Sequence, residues 1–307
     1  MKELEIKDLL IKDLLIEDFE IINYYYNLRR TSAADGNVLD LFLWNDCYPS
    51  KILITEKCLI VLGMEDGKYC SMMPFCKKED LRESFFFLKE LFNNHFKQEL
   101  IIYVADREAI DILSLPEEEF EITEERDLFD YIYESDKLKS YPGRKYHKKK
   151  NHLNAFRKSY AGRYEFKMLG TDDCKLISDF LEKWRKDKTE TSMSKYIDYE
   201  ISGIEKIMKW QNVIDFKIGG LFIDNNLEAF SIGKYYETED VVYVPVEKAN
   251  SQFRGIYAYI CSKFLREAFP EASRVNREDD MGLEGLRQAK LSLNPIELVE
   301  KYTVIQK

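Results

Sequence analysis

The sequence predicts a mixed α/β protein made of two similar halves joined by a strongly basic helix. Three observations carry that expectation. β-rich runs alternate with amphipathic helical runs along the whole chain and do not segregate into an all-α and an all-β part. One order of pieces (strand, hairpin turn, strand, polar segment, amphipathic helix, strand) occurs twice, over Cys58–Phe96 with Leu100–Val104 and over Gly220–Phe264 with Arg274–Asn276. Between the two, Lys137–Arg163 carries ten Lys or Arg and no Asp or Glu. The repeated order points to duplication of one small α/β unit, with coincidence of common supersecondary pieces as the alternative.

The bulk numbers agree. A chain of 307 residues is ample for two domains. Hydrophobic residues make up 45%, with 20 Tyr and 19 Phe, enough for a packed core, and 13 Gly with 7 Pro exclude a low-complexity chain. The net charge of -10 would repel nucleic acid and anionic lipid if it were spread evenly, so any such contact has to come from the local basic stripe. The six Cys include no CxxC pair and several sit in apolar surroundings, which reads as reduced, buried thiols. Met1–Phe19 lacks the apolar stretch of a signal peptide, and no run of 18 apolar residues exists. A cytoplasmic protein without a transmembrane segment is expected.

In the first half, Glu17–Glu20 leads into an aromatic helix carrying Tyr24, Tyr25 and Tyr26, and 31–37 reads as a loop before apolar packing at Leu39–Trp44. Lys51–Thr55 and Leu59–Gly63 are β-rich, and the Asp66-Gly67 pair predicts a hairpin into a strand at Tyr69–Phe75. Asp80 is placed to cap a helix, with Glu83 three residues on and Leu81, Phe85, Leu88, Phe92 and Phe96 at helical spacing. His95 reads as a group at that helix's end. Leu100–Val104 is a strand of β-formers. Residues 111–136 hold eleven acids and one Arg, yet also Phe120, Phe129, Tyr131, Ile132 and Tyr133, so the segment is acidic but folded.

After the Pro142-Gly143 break comes the basic helix. Leu153, Phe156 and Tyr160 share one face, while Asn151, Asn154 and Lys158 share another. Three readings stay open for Arg144, Lys145, His147, Lys148, Lys149, Lys150, Asn151 and Asn154: a solvated charge run or an intramolecular partner for the acidic segment, a site for phosphates such as a tRNA backbone, or contact with anionic lipid headgroups. His147 and His152, five residues apart, are not expected to stack on one face.

In the second half, Thr171 is the expected cap of a helix with Leu176, Ile177, Phe180, Leu181 and Trp184, and a second helix covers about 198–210. Val213–Ile218, Gly220–Ile223 and Leu227–Tyr235 read as three strands, the last two joined by a turn at Asp224-Asn225-Asn226, with a further strand at Val241–Val246. A helix over about Gly255–Glu267, a strand at Arg274–Asn276 and a helix near Leu283–Lys290 complete the order. The expected division is 1–140 for the first lobe, 141–165 for the basic link and 166–307 for the second lobe.

The stretch Gly143–Phe156, of the form GxKxHKKKNHLNxF, and the run Val275–Arg287 resemble bacterial proteins grouped with the C-terminal domain of phosphatidylglycerol lysyltransferase. The resemblance runs from about Leu39 to Pro295. It implies tandem acetyltransferase-like (GNAT) folds of the acyl-CoA N-acyltransferase kind, each a mixed central sheet with flanking helices. The lysyltransferases move lysine from charged tRNA to a lipid headgroup, and the resemblance extends to none of their membrane portion. Gln252, Arg254, Gly255, Ile256 and Tyr257 resemble the acetyltransferase loop whose backbone amides, at a helix N-terminus, hold the pyrophosphate of acyl-coenzyme A. Tyr257 stands where that loop has a small residue.

Candidate chemistry follows from the acids. No Ser-His-Asp, Cys-His or metal-ligand spacing is present, so no metal is expected. Glu247 follows the strand Val241–Val246 and precedes the anion-loop candidate. Glu278, Asp279 and Asp280 follow the strand Arg274–Asn276, where mutual repulsion would raise one pKa toward that of a base, or where they would cap the helix near Gly282. Asn276 and Arg277 are candidate substrate positioners. The expected function is an acyl or aminoacyl transferase using acetyl-CoA, another acyl-CoA or aminoacyl-tRNA as donor, with a small-molecule or lipid-headgroup acceptor. The alternative is a non-catalytic protein of the same fold that holds an anionic partner.

Overall fold

In the computed structural model, which describes residues 10–186 and 194–307, two mixed sheets each organise one unit of the chain. The start of the acidic-apolar opening segment, up to residue 9, lies outside the described residues. The first unit runs to Phe129 and regains Val299–Lys307, while the second is Asp130–Leu298.

The first unit contains β1 (Ile11–Asp13), α1 (Phe19–Tyr26), α2 (Val38–Leu43), β2 (Lys51–Ile54), β3 (Cys58–Glu65), β4 (Lys68–Ser71), β5 (Phe75–Cys76), α3 (Leu81–Glu90), β6 (Ile101–Asp106), α4 (Arg107–Leu113) and β7 (Phe120–Glu124). Its sheet runs β1-β2-β3-β4-β6, then the C-terminal strand Lys301–Gln306, then β7. The expected hairpin forms: Glu65 pairs with Lys68, and Asp66 and Gly67 both take positive φ, as a two-residue turn of this hand requires. α3 buries Leu81, Phe85 and Leu88 and carries the chain over to β6, which lies parallel to β4. Asp80 does not cap it. A 3-10 turn, Lys78–Asp80, leads straight into the helix and already puts Asp80 in helical backbone. His95 lies in a π turn, Leu91–Phe96, its ring 5.2 Å from that of Phe96, and left-handed Lys97 ends the turn.

The second unit contains β8 (Asp130–Glu134), α5 (Ser135–Ser140), α6 (His147–Ser159), β9 (Tyr164–Leu169), α7 (Cys174–Lys186), α8 (Ser194–Met208), α9 (Gln211–Ile214), β10 (Lys217–Ile223), β11 (Asn226–Tyr236), β12 (Val241–Ala249), α10 (Ile256–Ala268), β13 (Arg274–Asn276), α11 (Glu284–Leu291) and β14 (Glu297–Val299). The chain then enters β15 (Lys301–Gln306), the strand already placed in the first sheet. The second sheet runs β14-β8-β13-β12-β11-β10-β9. The same device recurs here: Ile223 pairs with Asn226 around positive-φ Asp224 and Asn225, and α10 carries the chain from β12 to parallel β13.

Three local expectations change. Val213–Ile218 is not a separate strand: α9 ends at left-handed Asp215, and β10 then runs unbroken through Gly219 and Gly220. The glycines read as a break because they lack side chains, but at Gly219 a Cβ would meet the rings of Phe166 and Phe264 at 2.6 Å, so packing demands glycine inside the strand. Thr171 is not the cap either. The Asp173 carboxylate accepts from the Gly170 amide at 2.9 Å, closing the turn before α7. Finally, the helix expected as a link over 141–165 packs within the second unit. Leu153 and Phe156 of α6 are buried in its core, and the Phe156 ring stacks on Tyr259 of α10 at 4.6 Å.

Candidate functional site

The two parallel strands of the second sheet share only a short register. Val241, Val242 and Tyr243 of β12 pair with Arg274, Val275 and Asn276 of β13. Beyond that, β12 continues to Ala249 against β11, with Glu247 opposite Ser231. The chain after Asn276 instead turns toward β8, where the Arg277 amide donates to the Tyr131 carbonyl at 3.1 Å. The strands therefore part, and two side chains bridge the gap. Arg277 Nη2 donates to Glu247 Oε1 at 2.8 Å, and Nη1 lies 3.4 Å from Cys261 Sγ on α10.

Glu247 thus sits inside a strand and not after it, because pairing with β11 extends β12 past the apolar run visible in sequence. Its side chain is 7% exposed and that of Arg277 18%. Burial works against the guanidinium's charge, but the facing Glu247 carboxylate outweighs it and holds the Arg277 pKa above its ordinary value. Such a pair is a fixed electrostatic element more than a waiting base.

Two of the acids that follow, Asp279 and Asp280, are committed to structure. Asn276 is fully buried, its Nδ2 donating to Asp130 Oδ2 at 3.2 Å and its Oδ1 accepting from the Glu278 amide at 2.6 Å. Asp279 Oδ1 accepts from the Met281 amide at 2.9 Å, and Asp280 Oδ1 from the Gly282 amide at 3.0 Å. Asp280 also receives Arg287 Nε at 2.9 Å, Arg287 Nη2 at 2.8 Å and the Tyr131 hydroxyl at 2.5 Å. A raised carboxyl pKa was the expectation; Asp280 goes the other way. Burial pushes its pKa up, but Arg287, Tyr131 and the Gly282 amide together hold it down at about 2. The acids shape the turn ahead of α11, whose first helical residue is Glu284.

Two lysines complete the site: Lys149, which the sequence offers only as one of several anion contacts, and Lys290, which does not stand out there. Lys290 of α11 donates to the carbonyl oxygens of Arg277 and of Glu278, the latter at 3.0 Å, so it clamps the segment that carries Arg277. Burial lowers its pKa to about 8. Lys149 of α6 has a lowered pKa through burial and then through repulsion by Arg277. It was hidden in a run of three identical residues, only one of which turns toward the buried pair.

Lys149 also lines a groove with Arg144, Lys145, His147, Lys148 and His152, closed on the other side by Ser292 and Asn294, with a volume of about 760 Å³. His147 and His152 both line this groove, and the turn Arg144–Tyr146 extends its wall beyond α6. Arg144, Lys145 and Lys148 are exposed and, among the described residues, form no ion pair with a carboxylate. Lys150 is turned to the Ser140 carbonyl at 2.9 Å, Asn151 leans on His147 at 3.4 Å, and Asn154 is exposed outside the groove.

The anion-loop candidate adopts a different use. Asn250 accepts from the Gln252 amide through Oδ1 at 3.1 Å and from the Phe253 amide through its carbonyl at 3.2 Å, and the Phe253 carbonyl takes the Ile256 amide at 3.1 Å. Gly255 has φ +84, and a Cβ there would lie 2.1 Å from the His152 carbonyl oxygen. The glycine is required by the crossing of α6 over the start of α10. Gln252 and Arg254 are exposed, Ile256 is buried, and the Tyr257 hydroxyl donates to the Ala249 carbonyl at 3.2 Å. No helix among the described residues is long and apolar enough to cross a membrane.

Comparison with known proteins agrees with this architecture. The family described as "Phosphatidylglycerol lysyltransferase, C-terminal" matches residues 27–305. A conserved protein of unknown function from Bacteroides thetaiotaomicron has a similar structure, with a TM-score of 0.88 and 25% identity over 97% of this chain and 100% of that one. The structure of L-PGS from Bacillus licheniformis aligns over 95% of this chain and 92% of its own with a TM-score of 0.67; at 13% identity it speaks to the fold alone. An uncharacterized protein of Mycoplasmoides gallisepticum is 25% identical over 174 residues, 57% of this chain, and the match spans about half (55%) of that protein's length.

Proposed function

Since the chain belongs to the phosphatidylglycerol lysyltransferase C-terminal family, we propose that it transfers an aminoacyl group from charged tRNA to an amine or hydroxyl acceptor. The observation that carries this reading is the groove on α6: four exposed or half-buried cations and two histidines, with Lys149 reaching electrostatically to the buried Arg277–Glu247 pair. Phosphates of a polynucleotide suit a groove lined by Arg144, Lys145 and Lys148. Acyl-CoA is the less favoured donor, because the His152 carbonyl faces the start of α10.

In this reading the acceptor attacks the ester carbonyl, the bond from that carbonyl to the tRNA ribose oxygen breaks, and the proton lost by the acceptor passes by way of Lys149 to the departing ribose oxygen. Lys149 places positive charge where the carbonyl oxygen becomes negative, and its lowered pKa lets it exchange a proton more readily than a surface lysine. Arg277 and Glu247 hold the field around it. Asn276, Asp279 and Asp280 support the turn and take no part in bond making.

A second reading, a non-catalytic protein that grips an anionic partner with the same groove, is favoured by the commitment of Glu247 to Arg277 and of Asp280 to Arg287. Thermal stability with bulk tRNA, coenzyme A and acetyl-coenzyme A, together with transfer from charged tRNA to hydroxylamine-type and lipid-headgroup acceptors, separates them. Saturable, salt-weakened stabilisation by tRNA with transfer is expected. Stabilisation by coenzyme A without tRNA binding overturns the donor assignment, and tRNA binding without transfer to any acceptor leaves the binding protein.

A further inference from the structure

We propose that a second cavity of the same unit, about 310 Å³ in volume, receives the adenosine end of the donor. This rests on the transferase reading and adds a donor subsite to it. One wall is the end of α7, with Phe180, Lys183, Trp184 and Lys186; the other is the start of β11 at Leu227 and Glu228, with Asn250 just past β12.

The lining combines three chemistries that a nucleoside phosphate needs together. Trp184 and Phe180 bring aromatic surface, on which bases stack. Lys183 is an exposed ammonium at the rim, suited to a ribose phosphate, and Lys186 beside it is paired with Glu182 at 2.6 Å. Asn250 Nδ2 donates to Glu228 Oε2 at 2.9 Å, so a carboxylate and an amide stand side by side to meet the donors and acceptors of a base edge. The indole is also held in place: Lys248 Nζ sits 4.7 Å from its ring centroid and pairs with Glu200 at 2.5 Å. A fixed aromatic platform loses little freedom on binding.

Position points the same way. Asn250 belongs to the stretch that follows Glu247 out of β12, and it organises the loop into α10 through the Gln252 and Phe253 amides. The volume lies at the small end of ligand cavities. It suits a nucleoside. The shared chemistry is an adenosine bearing a phosphate, found both at the 3′ terminus of tRNA and in coenzyme A.

Equilibrium dialysis of the full chain with radiolabelled adenosine 5′-monophosphate, adenosine 3′,5′-bisphosphate and cytidine 5′-monophosphate tests it. Saturable binding of an adenosine probe is expected, with Trp184→Ala weakening it roughly tenfold or more and Trp184→Phe restoring most of it. Lys183→Glu, a surface change that leaves folding intact, is expected to weaken binding several-fold. Tighter binding of the monophosphate identifies tRNA as the source, and tighter binding of the bisphosphate identifies coenzyme A. Failure of both adenosine probes to saturate, equal binding of the cytidine probe, or wild-type affinity in both the Trp184→Ala and Lys183→Glu chains overturns the proposal. If that happens while tRNA still binds the α6 groove and transfer proceeds, the subsite alone falls. If nucleotide binds but transfer and tRNA binding are absent, the transferase reading falls and the cavity stands.

Discussion

Arg277 reaches across from the end of β13 to Glu247 of β12 at 2.8 Å, at the point where the two strands have stopped pairing. A gap in a sheet would ordinarily admit water or substrate; here an ion pair spans it. Removing one partner leaves a buried charge uncompensated. Glu247→Gln is therefore expected to destabilise the protein by about 3 kcal/mol, and the double change Glu247→Met with Arg277→Met to recover much of the loss. Urea unfolding of the three chains checks this. Equal stability of wild type and Glu247→Gln would show that the pair is solvated in solution.

Gly255 carries the crossing of α6 and α10. With φ +84 and the His152 carbonyl 2.1 Å from any Cβ, Gly255→Ala adds backbone strain to a steric overlap, for a cost of at least about 2 kcal/mol. Because the displaced partner is the basic helix itself, the variant should also lose polyanion affinity, which heparin-column retention reads directly. Retained stability with weakened coenzyme A binding would instead return the glycine to a pyrophosphate loop.

Asp280 makes stability depend on acid. Its pKa falls from 3.8 to about 2 on folding, because Arg287, Tyr131 and the Gly282 amide outweigh burial. A depressed carboxyl pKa stabilises the fold at pH values above the unfolded value and loses that contribution as pH drops from about 4 to about 2. The contribution at neutral pH is about 2 kcal/mol. Asp280→Asn should unfold more easily at pH 7 and lie closer to wild type at pH 2.5, as denaturant melts at the two pH values would reveal.

Lys290 acts in the same direction at the other end of the pH scale. Burial lowers its pKa from 10.5 to about 8, so between those values the unfolded chain binds the extra proton and stability rises with pH. Lys290→Met should flatten that rise between about pH 8 and 10.5. Since the side chain clamps the Arg277 and Glu278 carbonyls, the variant should also shift the pH profile of any transfer reaction. An unchanged slope would place the amine in water.

These residues divide according to what local sequence can encode. The hairpins at Asp66-Gly67 and Asp224-Asn225 were legible because two positive-φ residues between β-formers have one ready use. β13 and α10 were legible for similar reasons of run length and period. β8 was hidden because Asp130–Glu134 is short, lies in an acidic segment and forms a strand only by pairing with distant β13. The candidate site was half legible: Arg277 in the run from Asn276 to Asp280 does meet Glu247, but that pairing and the turn that brings Arg287 back to Asp280 depend on the tertiary fold. Lys149 looks like its neighbours in the sequence, and only the crossing of α6 over α10 sets it apart. Gly255 shows the converse: a glycine before a helix fits several physical demands, and the choice among them is tertiary.

The groove on α6 makes the last expectation quantitative. Arg144, Lys145 and Lys148 line it and are exposed, whereas Asn154 is exposed on the same helix but outside it. If phosphates dock there, each cation removed deletes about one released counterion. Lys145→Ala and Lys148→Ala should then each lower the slope of log affinity for tRNA against log salt by roughly 0.7 to 0.9, and the double variant by about twice that. Asn154→Ala should change neither slope nor affinity. Lys150→Ala should matter less than either groove lysine, because its ammonium is already engaged by the Ser140 carbonyl. Equal effects of all four substitutions would mean that the polyanion responds to the helix's overall charge and not to the groove. No effect of any would move the binding surface elsewhere.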